Sequence, residues 1–170
     1  MEITKKKLFS IWLVINSFIE KSKVEKFSTH FSYGLSRNKA ILLPEVQPIQ
    51  ESAKPSEKYL EFEKKRNDLL EELSDRDEEG AVMHNVNENG QKYYKITERK
   101  EEFDAAVAKL MEEYKETIDE FNKQEEEINK ILEQTTEVNF YKMSLDVLPP
   151  DLPYNIVEVL DPLIKEPAAE

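Results

Sequence analysis

Residue types that carry out nucleophilic or acid–base chemistry are few in this chain of 170 residues, and they stand far apart. The two histidines are His30 and His84, and there is no cysteine. Ser32 follows His30 by two positions, but side chains at this spacing point to different sides of a helix and form no nucleophile–base pair. The lack of cysteine excludes disulfides, thiol nucleophiles and zinc knuckles, and the three isolated glycines exclude Gly-rich phosphate loops.

Carboxylates are abundant, and paired carboxylates can hold a hard cation or act as acid and base. They are concentrated in two runs, one within residues 71–79 and the other at Glu125–Glu127. The first run lacks the alternating acids, central glycine and terminal glutamate of a calcium loop. Neither run is accompanied by the basic or histidine partner of a two-metal nuclease. We interpret both as solvated helix faces and turns, and we predict no catalytic residue, metal site or cofactor.

The charge distribution disfavours direct binding of nucleic acids. The net charge is −12. Residues 1–50 carry eight Lys or Arg and four Asp or Glu, whereas residues 51–170 carry 16 and 32. An acidic surface repels phosphates, and we interpret the basic residues near the N-terminus as groups that keep the ends of one helix soluble.

The first helix is predicted from an apolar run over residues 8–19, in which nine of twelve residues are apolar. The run is too short and too polar to span a bilayer, and no signal-peptide cleavage site follows it, so we expect no membrane segment. Thr4 is the predicted N-cap. A main stripe recurs at the three- and four-residue steps of an amphipathic helix: Leu8, Ile11, Trp12, Ile15, Phe18 and Ile19.

The first helix has more apolar residues than one face can bury. Phe9, Leu13 and Val14 fall off the main stripe, so the helix is either buried on several sides or carries an interface. Together with Trp12, they are the candidate interface residues.

A second helix is predicted to begin near Val24 and to form an αα-hairpin with the first. Gly34 lies in its apolar stripe, which indicates close approach of a partner helix, expected to be the first. Pro44, Pro48 and Pro55 predict a break or marked bend between residues 43 and 56, after which a helix resumes at Ser56. Whether residues 24–75 form one kinked helix or two stays open.

A β-hairpin is predicted after the polar residues 74–80. Asn89-Gly90 lies between β-favouring arms and indicates a two-residue type I′ turn, with strands near 82–87 and 92–96. A two-stranded hairpin alone is marginal in water, so it must rest on a helix or find a third strand.

Residues 98–134 predict one long charged helix capped by Thr97, roughly 55 Å in length. Its antiparallel partner is expected to be the helix over residues 56–75. The apolar residues follow the heptad seam of a coiled coil, with Thr117 and Gln124 as polar exceptions: Val107, Leu110, Tyr114, Phe121, Ile128 and Ile131.

The C-terminal part predicts a strand over residues 135–143, paired with Met1–Thr4 or with one arm of the hairpin. A rigid Leu-Pro turn and a short helix from Tyr154 to Leu160 follow. The whole indicates a mainly α fold of the α+β class in a single domain over residues 1–166. Its parts are a helical hairpin (1–43), a long antiparallel helical pair (56–134) with the β-hairpin (82–96), a strand plus short helix (135–166), and an acidic tail (167–170).

Four segments together touch nearly the whole chain and carry a resemblance. They are Met1–Thr4 leading into the amphipathic helix, Phe31–Lys39 leading to Leu43–Glu45, Asp77–Gly80 with Asn89–Gln91, and Val138–Leu152 with Leu160–Ile164. In these segments the chain resembles a family of small acidic tailed-bacteriophage proteins whose domain has no assigned function. The resemblance implies a phage origin and a helical core with small β additions, and it implies no active-site residues. Pro48 and Pro55 depart from the continuous long helix of such proteins.

The function expected from these features is protein binding without catalysis. Under the resemblance, the chain is an accessory protein of infection or a minor virion component, located in the host cytoplasm or the virion. Its partner is a phage or host protein, or a second copy of the chain. The alternative is an acidic inhibitor of a host defence or transcription enzyme, with carboxylates where DNA phosphates would sit. Lysines interleaved with acids at helical spacing count against the alternative.

Overall fold

The computed structural model describes residues 1–165. Over these residues the chain forms six α-helices: α1 Lys5–Lys21, α2 Thr29–Ser52, α3 Glu57–Leu73, α4 Lys100–Glu113, α5 Lys115–Leu132 and α6 Tyr154–Leu160. The strands are β1 Glu2–Thr4, β2 His84–Val86, β3 Lys92–Tyr94 and β4 Thr135–Glu137. They make two antiparallel sheets, β1 with β4 and β2 with β3. The predicted mainly helical α+β class is confirmed, and the expected tail over 167–170 lies outside the described residues.

The chain divides into two compact units. The first contains Met1–Ala53 and Glu126–Glu170, and the second contains Lys54–Glu125. The first unit holds α1, α2, α6 and the β1–β4 sheet, and the second holds α3, α4 and the β2–β3 hairpin. Helix α5 begins in the second unit and ends in the first. The single domain over 1–166 stays a prediction.

Helix α1 contains the whole predicted apolar run over residues 8–19 and has the predicted cap. The Thr4 hydroxyl oxygen accepts a hydrogen bond from the Lys7 N–H at 3.2 Å. The helix packs against α2 and α6, and its main stripe contributes Leu8, Ile11, Trp12, Ile15 and Phe18 to the core of the first unit. Among residues 1–165, no helix is both long and apolar enough to cross a membrane.

Helix α2 begins later than the sequence predicts. Its first residue is Thr29 rather than a residue near Val24, because the Ser28 side chain caps it and accepts from the Phe31 N–H at 3.2 Å. Val24 belongs instead to the turn after α1, where its N–H donates to the Lys21 carbonyl at 2.9 Å.

The break predicted between residues 43 and 56 is present, but it comes after Ser52, and Pro44 and Pro48 lie inside α2 without ending it. Both prolines are exposed and one turn apart, and they share the solvent side of the helix. The carbonyls that lose a helical donor therefore lie where water can hydrate them. Burial on the opposite side keeps the helix in place, through Leu42, Val46 and Ile49. The chain breaks at residues 53–56, so residues 24–75 form two helices.

Gly34 is approached by the C-terminal segment and not, as predicted, by α1. A Cβ at this position would collide with the sulfur of Met143. Met143 is itself buried in the core of the first unit, and because protein interiors are close-packed, a side chain at position 34 would force Met143 to move against its neighbours.

The C-terminal strand was expected to pair either with Met1–Thr4 or with one arm of the hairpin. Ile3 lies opposite Thr136 in antiparallel register, so the N-terminal segment is the partner. Further along, Met143 forms a parallel bridge with Ile164, and its N–H donates to the Leu163 carbonyl at 2.7 Å. Helix α6 has the predicted bounds.

In the second unit, α3 and α4 run antiparallel, as predicted for this helical pair. The Ser56 side chain caps α3 and accepts from the Tyr59 N–H at 3.2 Å. Tyr59 stacks on Phe121 at 3.8 Å between ring centroids, whereas at the other end Arg99 donates to the Glu72 carbonyl at 3.1 Å. The buried cluster is Phe62, Leu110 and Tyr114, with half-buried Tyr59, Leu69 and Ile118 against it.

The single helix predicted over 98–134 is interrupted. Helix α4 ends at Glu113 and α5 begins at Lys115, and Tyr114 between them has φ −105° and ψ 15°. Sharp interruptions normally coincide with proline or glycine, and neither occurs in residues 100–132. No local helix breaker therefore accounts for the interruption.

The prediction that Thr97 caps this helix is wrong, because α4 begins three residues later, at Lys100. Its N-cap residue is Arg99, which makes no side-chain cap bond. Asp75 instead reaches over from the end of α3, and its Oδ1 accepts from the N–H groups of Thr97 at 3.0 Å and Glu98 at 3.2 Å.

The predicted hairpin is present, with shorter strands, but its turn is not type I′. Gly90 has φ 77°, and no other residue type in the described chain has a positive φ, so Asn89 lacks the conformation that a type I′ turn needs. The Asn87 N–H donates to the Gln91 carbonyl at 3.0 Å, and the Gly90 N–H donates to the Asn87 carbonyl at 2.9 Å. This is a three-residue loop with a glycine bulge.

The hairpin gains the third segment that its stability requires. The Asp75 N–H donates to the Lys95 carbonyl, the Lys95 N–H to the Met83 carbonyl and the Met83 N–H to the Asp75 carbonyl, at 2.8 to 3.0 Å. Asp77 and Ala81 close a second loop of the same form, with the Asp77 Oδ1 accepting from the Ala81 N–H at 2.8 Å. Part of the acidic run within residues 71–79 therefore forms a turn, which agrees with its interpretation as helix faces and turns.

Candidate functional site

The four candidate interface residues of α1 lie in different surroundings. Trp12 is buried in the core of the first unit, and the Lys39 ammonium lies 5.4 Å from its ring centroid. Phe9 and Val14 are half-buried and pack against that core. Leu13 is 54% exposed. Both α2 and α6 pack against α1. Most of the apolar surplus is therefore at least half-buried within the chain, and Leu13 alone of the four is exposed.

The histidines do not form a site. His30 is exposed on α2 in the first unit, and His84 is exposed on β2 in the second. The His84 ring lies 5.1 Å from the Tyr94 ring, and its Nδ1 lies 3.1 Å from the Val82 carbonyl. Across residues 1–165, no group of three or more His, Asp or Glu side chains is placed to hold a metal ion.

An open groove in the first unit brings together apolar side chains that the sequence analysis does not single out. Its volume is about 960 Å³. The lining combines the N-terminus, the segment after Met143 and the residues around α6: Met1, Lys142, Ser144, Leu145, Asp146, Val157, Asp161, Pro162, Ile164 and Lys165. A neighbouring depression of about 480 Å³ shares Met1 and Val157 with it and extends it to Tyr154. We call the two together the C-terminal groove.

The apolar residues of the C-terminal groove are accessible. Leu145 is 63% exposed, Tyr154 is 82% exposed, and Met1 is also mostly exposed. Val157 and Ile164 are half-buried and form the floor. Scattered exposed apolar residues are normal on a protein surface, whereas several that line one concave surface make that surface a candidate binding site.

Two lysines of the groove are held by backbone carbonyls. The Lys142 ammonium donates to the Pro162 carbonyl at 2.8 Å, and the Lys7 ammonium donates to the Glu158 carbonyl at 3.2 Å. Both carbonyls belong to the turn that follows α6 or to its last residues. The groove rim is therefore fixed by polar contacts, while its floor is apolar.

Sequence reasoning missed the C-terminal groove because its residues are far apart in the chain. Met1 meets Val157 and Ile164 only after β1 has paired with β4 and Met143 has bridged to Ile164. The one local signal is the apolar set of α6, which the sequence analysis used to predict a helix.

In the second unit, polar side chains cluster around Tyr114. The Tyr114 hydroxyl donates to Glu61 Oε1 at 2.9 Å and accepts from the Lys65 ammonium at 2.7 Å. The Tyr114 hydroxyl and the Lys65 ammonium, which lies 3.2 Å from Glu61 Oε1, lower the pKa of Glu61. The Tyr114 hydroxyl and the Glu61 carboxylate also raise the pKa of Lys65. The cluster stays charged near neutral pH and binds α3 to the junction between α4 and α5.

No family model, no curated protein and no solved structure matches this chain. The functional interpretation therefore depends on the residues and their arrangement. The C-terminal groove offers an apolar floor with a charged rim, which suits it to binding an apolar segment.

Proposed function

We propose that this chain acts by binding another protein, as an accessory protein of bacteriophage infection or a minor virion component, without catalysing a reaction. The phage context comes from the resemblance of four sequence segments, Met1–Thr4 among them. The binding role is supported by one observation above all, the exposed apolar lining of the C-terminal groove.

The groove's charge suggests the kind of segment that it binds. The charged side chains that line it are three cations and three anions: Lys7, Lys142, Lys165, Asp146, Glu158 and Asp161. Such a balance attracts neither a strongly acidic nor a strongly basic partner. We therefore expect the occupant to be an apolar peptide segment of a phage or host protein, flanked by at most one charge of each sign.

The test compares two aspartate substitutions in the full chain. Leu145→Asp places a charge in the groove, whereas Val24→Asp changes a residue that is 86% exposed and lies outside it. Tagged chains are expressed during infection, and the proteins that co-purify are quantified by mass spectrometry. We expect the amount of one co-purifying protein to fall at least tenfold with Leu145→Asp. With Val24→Asp, the amount of the same protein should equal that of the unchanged chain.

Two controls make the comparison decisive. Both variants should unfold thermally within a few degrees of the unchanged chain, because both positions are exposed. Recovery of the same partner by all three proteins would contradict binding in the groove. Hydrolysis of a phage or host substrate by the purified chain would contradict a role without catalysis.

The alternative of an acidic DNA mimic is not favoured by the second unit's ion pairs. Its acids alternate with cations, as in the pairs Glu61–Lys65 at 3.2 Å, Glu63–Arg66 at 2.9 Å and Asp104–Lys100 at 3.0 Å. A mimic displays carboxylates on one face with few cations beside them, because each cation cancels a phosphate-like charge.

A further inference from the structure

The junction between α4 and α5 is an interruption without a local cause. Residues 100–132 contain no proline and no glycine, and the residues on either side of Tyr114 are helix formers such as glutamate and lysine. Even so, Tyr114 leaves the helical conformation, with φ −105° and ψ 15°. Tyr114 is also the residue at the junction that makes contacts elsewhere in the second unit.

The interruption leaves backbone groups without helical partners. The Tyr114 N–H donates to the Leu110 carbonyl at 3.0 Å, and the next helical bond runs from the Ile118 N–H to the Tyr114 carbonyl at 2.9 Å. Between these two bonds, the amides of residues 115–117 form the first turn of α5 and have no acceptor within that helix. A continuous helix would give each of them a carbonyl four residues earlier.

The contacts that hold Tyr114 come from α3. Glu61 and Lys65 are one helical turn apart, and both bind the Tyr114 hydroxyl. Glu61 accepts a hydrogen bond from it at 2.9 Å, and Lys65 donates one to it at 2.7 Å. The Lys65 ammonium also lies 4.9 Å from the centre of the Tyr114 ring. Phe62, between the two, packs on the same ring at 5.7 Å. The ring is buried, whereas Glu61 and Lys65 are partly exposed.

We propose that the Tyr114 hydroxyl, held by Glu61 and Lys65, keeps α4 and α5 apart, and that residues 100–132 close into one continuous helix when this contact is released. The segment is then a two-state element, because its local sequence favours one form and its tertiary contacts favour the other. The contacts that carry the proposal all lie in the second unit, and none of their residues lines the C-terminal groove.

The test is amide hydrogen exchange of the full chain, measured by NMR. Tyr114→Phe keeps the buried ring and removes the hydroxyl. Tyr59→Phe is the matched control, because Tyr59 packs against the same cluster and its hydroxyl takes no part in the contacts with Glu61 and Lys65. We expect the amides of residues 115–117 to exchange at least tenfold more slowly in Tyr114→Phe and at an unchanged rate in Tyr59→Phe.

A second variant covers the case in which Tyr114→Phe does not fold. Glu61→Gln with Lys65→Met changes two partly exposed residues and weakens the same contact from the other side. It should slow exchange of the same three amides and raise the helical signal in circular dichroism. Unchanged or faster exchange at residues 115–117 in a folded variant would overturn the proposal. So would uniformly faster exchange across residues 54–125, which indicates a structural role alone.

Discussion

The side-chain amide of Asn38 pairs with the backbone of Tyr141 as one β-strand pairs with another. Asn38 Nδ2 donates to the Tyr141 carbonyl, and Asn38 Oδ1 accepts from the Tyr141 N–H, both at 2.9 Å. Nδ2 also donates to the Gly34 carbonyl at 3.0 Å, so the buried side chain makes three hydrogen bonds with two residues. A residue of α2 thereby fixes the start of the C-terminal segment, which leads to the groove.

Replacing Asn38 with alanine should destabilise the first unit strongly. The substitution leaves the N–H and carbonyl of Tyr141 without their partner at a partly buried position. Each such group costs about 1–3 kcal/mol, so we expect a loss of about 2–4 kcal/mol in the free energy of unfolding. Urea denaturation measures it. Gln47→Ala is the control, because Gln47 is exposed and bonds only to Glu51, and it should change stability by less than about 0.5 kcal/mol.

Gly34→Ala should be destabilising because of Met143, and the two positions should be coupled. We expect Gly34→Ala to cost about 1–3 kcal/mol, since the new methyl group overlaps the Met143 side chain. In a Met143→Ala background, the same substitution should cost close to nothing, because the space is then vacant. A double-mutant cycle in urea measures this coupling. Equal costs of Gly34→Ala in the two backgrounds would show that the collision is not the cause.

Two neighbouring residues of α1 should respond in opposite ways. Trp12→Ala should cost about 3–5 kcal/mol, because Trp12 is buried. Leu13→Asp should leave the melting temperature almost unchanged, because Leu13 is mostly exposed. Thermal melting checks both, and light scattering of Leu13→Asp shows whether Leu13 takes part in self-association. A large loss of stability in Leu13→Asp would place this residue in the core instead.

Asp75 should make the stability of the second unit depend on pH. Its bonds from the backbone N–H groups of Thr97 and Glu98 lower the pKa of Asp75. A carboxyl whose folded pKa lies below the unfolded value of about 3.9 stabilises the fold above that pH and loses its contribution as the pH falls through the folded pKa. Asp75→Asn should therefore lower the melting temperature at pH 7, and the difference from the unchanged chain should shrink below about pH 4.

The matched control for Asp75 is Asp68→Asn, a change at an exposed carboxylate of α3. We expect its melting temperature to follow that of the unchanged chain from pH 7 to pH 3. If Asp75→Asn keeps the same deficit throughout this range, the stabilisation comes from the shape of the side chain and not from its charge.

The helical elements of this chain could be predicted where their signals are local. The stripe of α1, the cap Thr4 and the bounds of α6 all depend on residues within a few positions of each other, and the structure confirms them. The turn at Gly90 was predicted in place but not in type, because the loop geometry depends on which residues of the two arms pair.

The C-terminal groove could not be predicted, and neither could the surroundings of Gly34. Both depend on where Met143 lies, and Met143 is more than 100 residues from Gly34 in the sequence. The glycine correctly indicated a close approach, but nothing local distinguishes a partner helix from a C-terminal segment. The site was missed for the same reason, since Met1 and Val157 have no shared pattern in the sequence.

The sequence by itself determined the fold class, the number of turns in α1, the change to β structure after Gly80 and the absence of cysteine chemistry. These follow from side-chain spacing and backbone preferences, which act over a few residues. The tertiary structure alone decided that α2 continues through Pro44, that the helix after Lys100 is interrupted at Tyr114 and that Asn38 holds Tyr141. In α2, burial of Leu42, Val46 and Ile49 outweighs the preference of proline against a helix interior, which is about 3 kcal/mol. Asn38 and Tyr141 meet only because the fold brings together two residues that are far apart in the sequence.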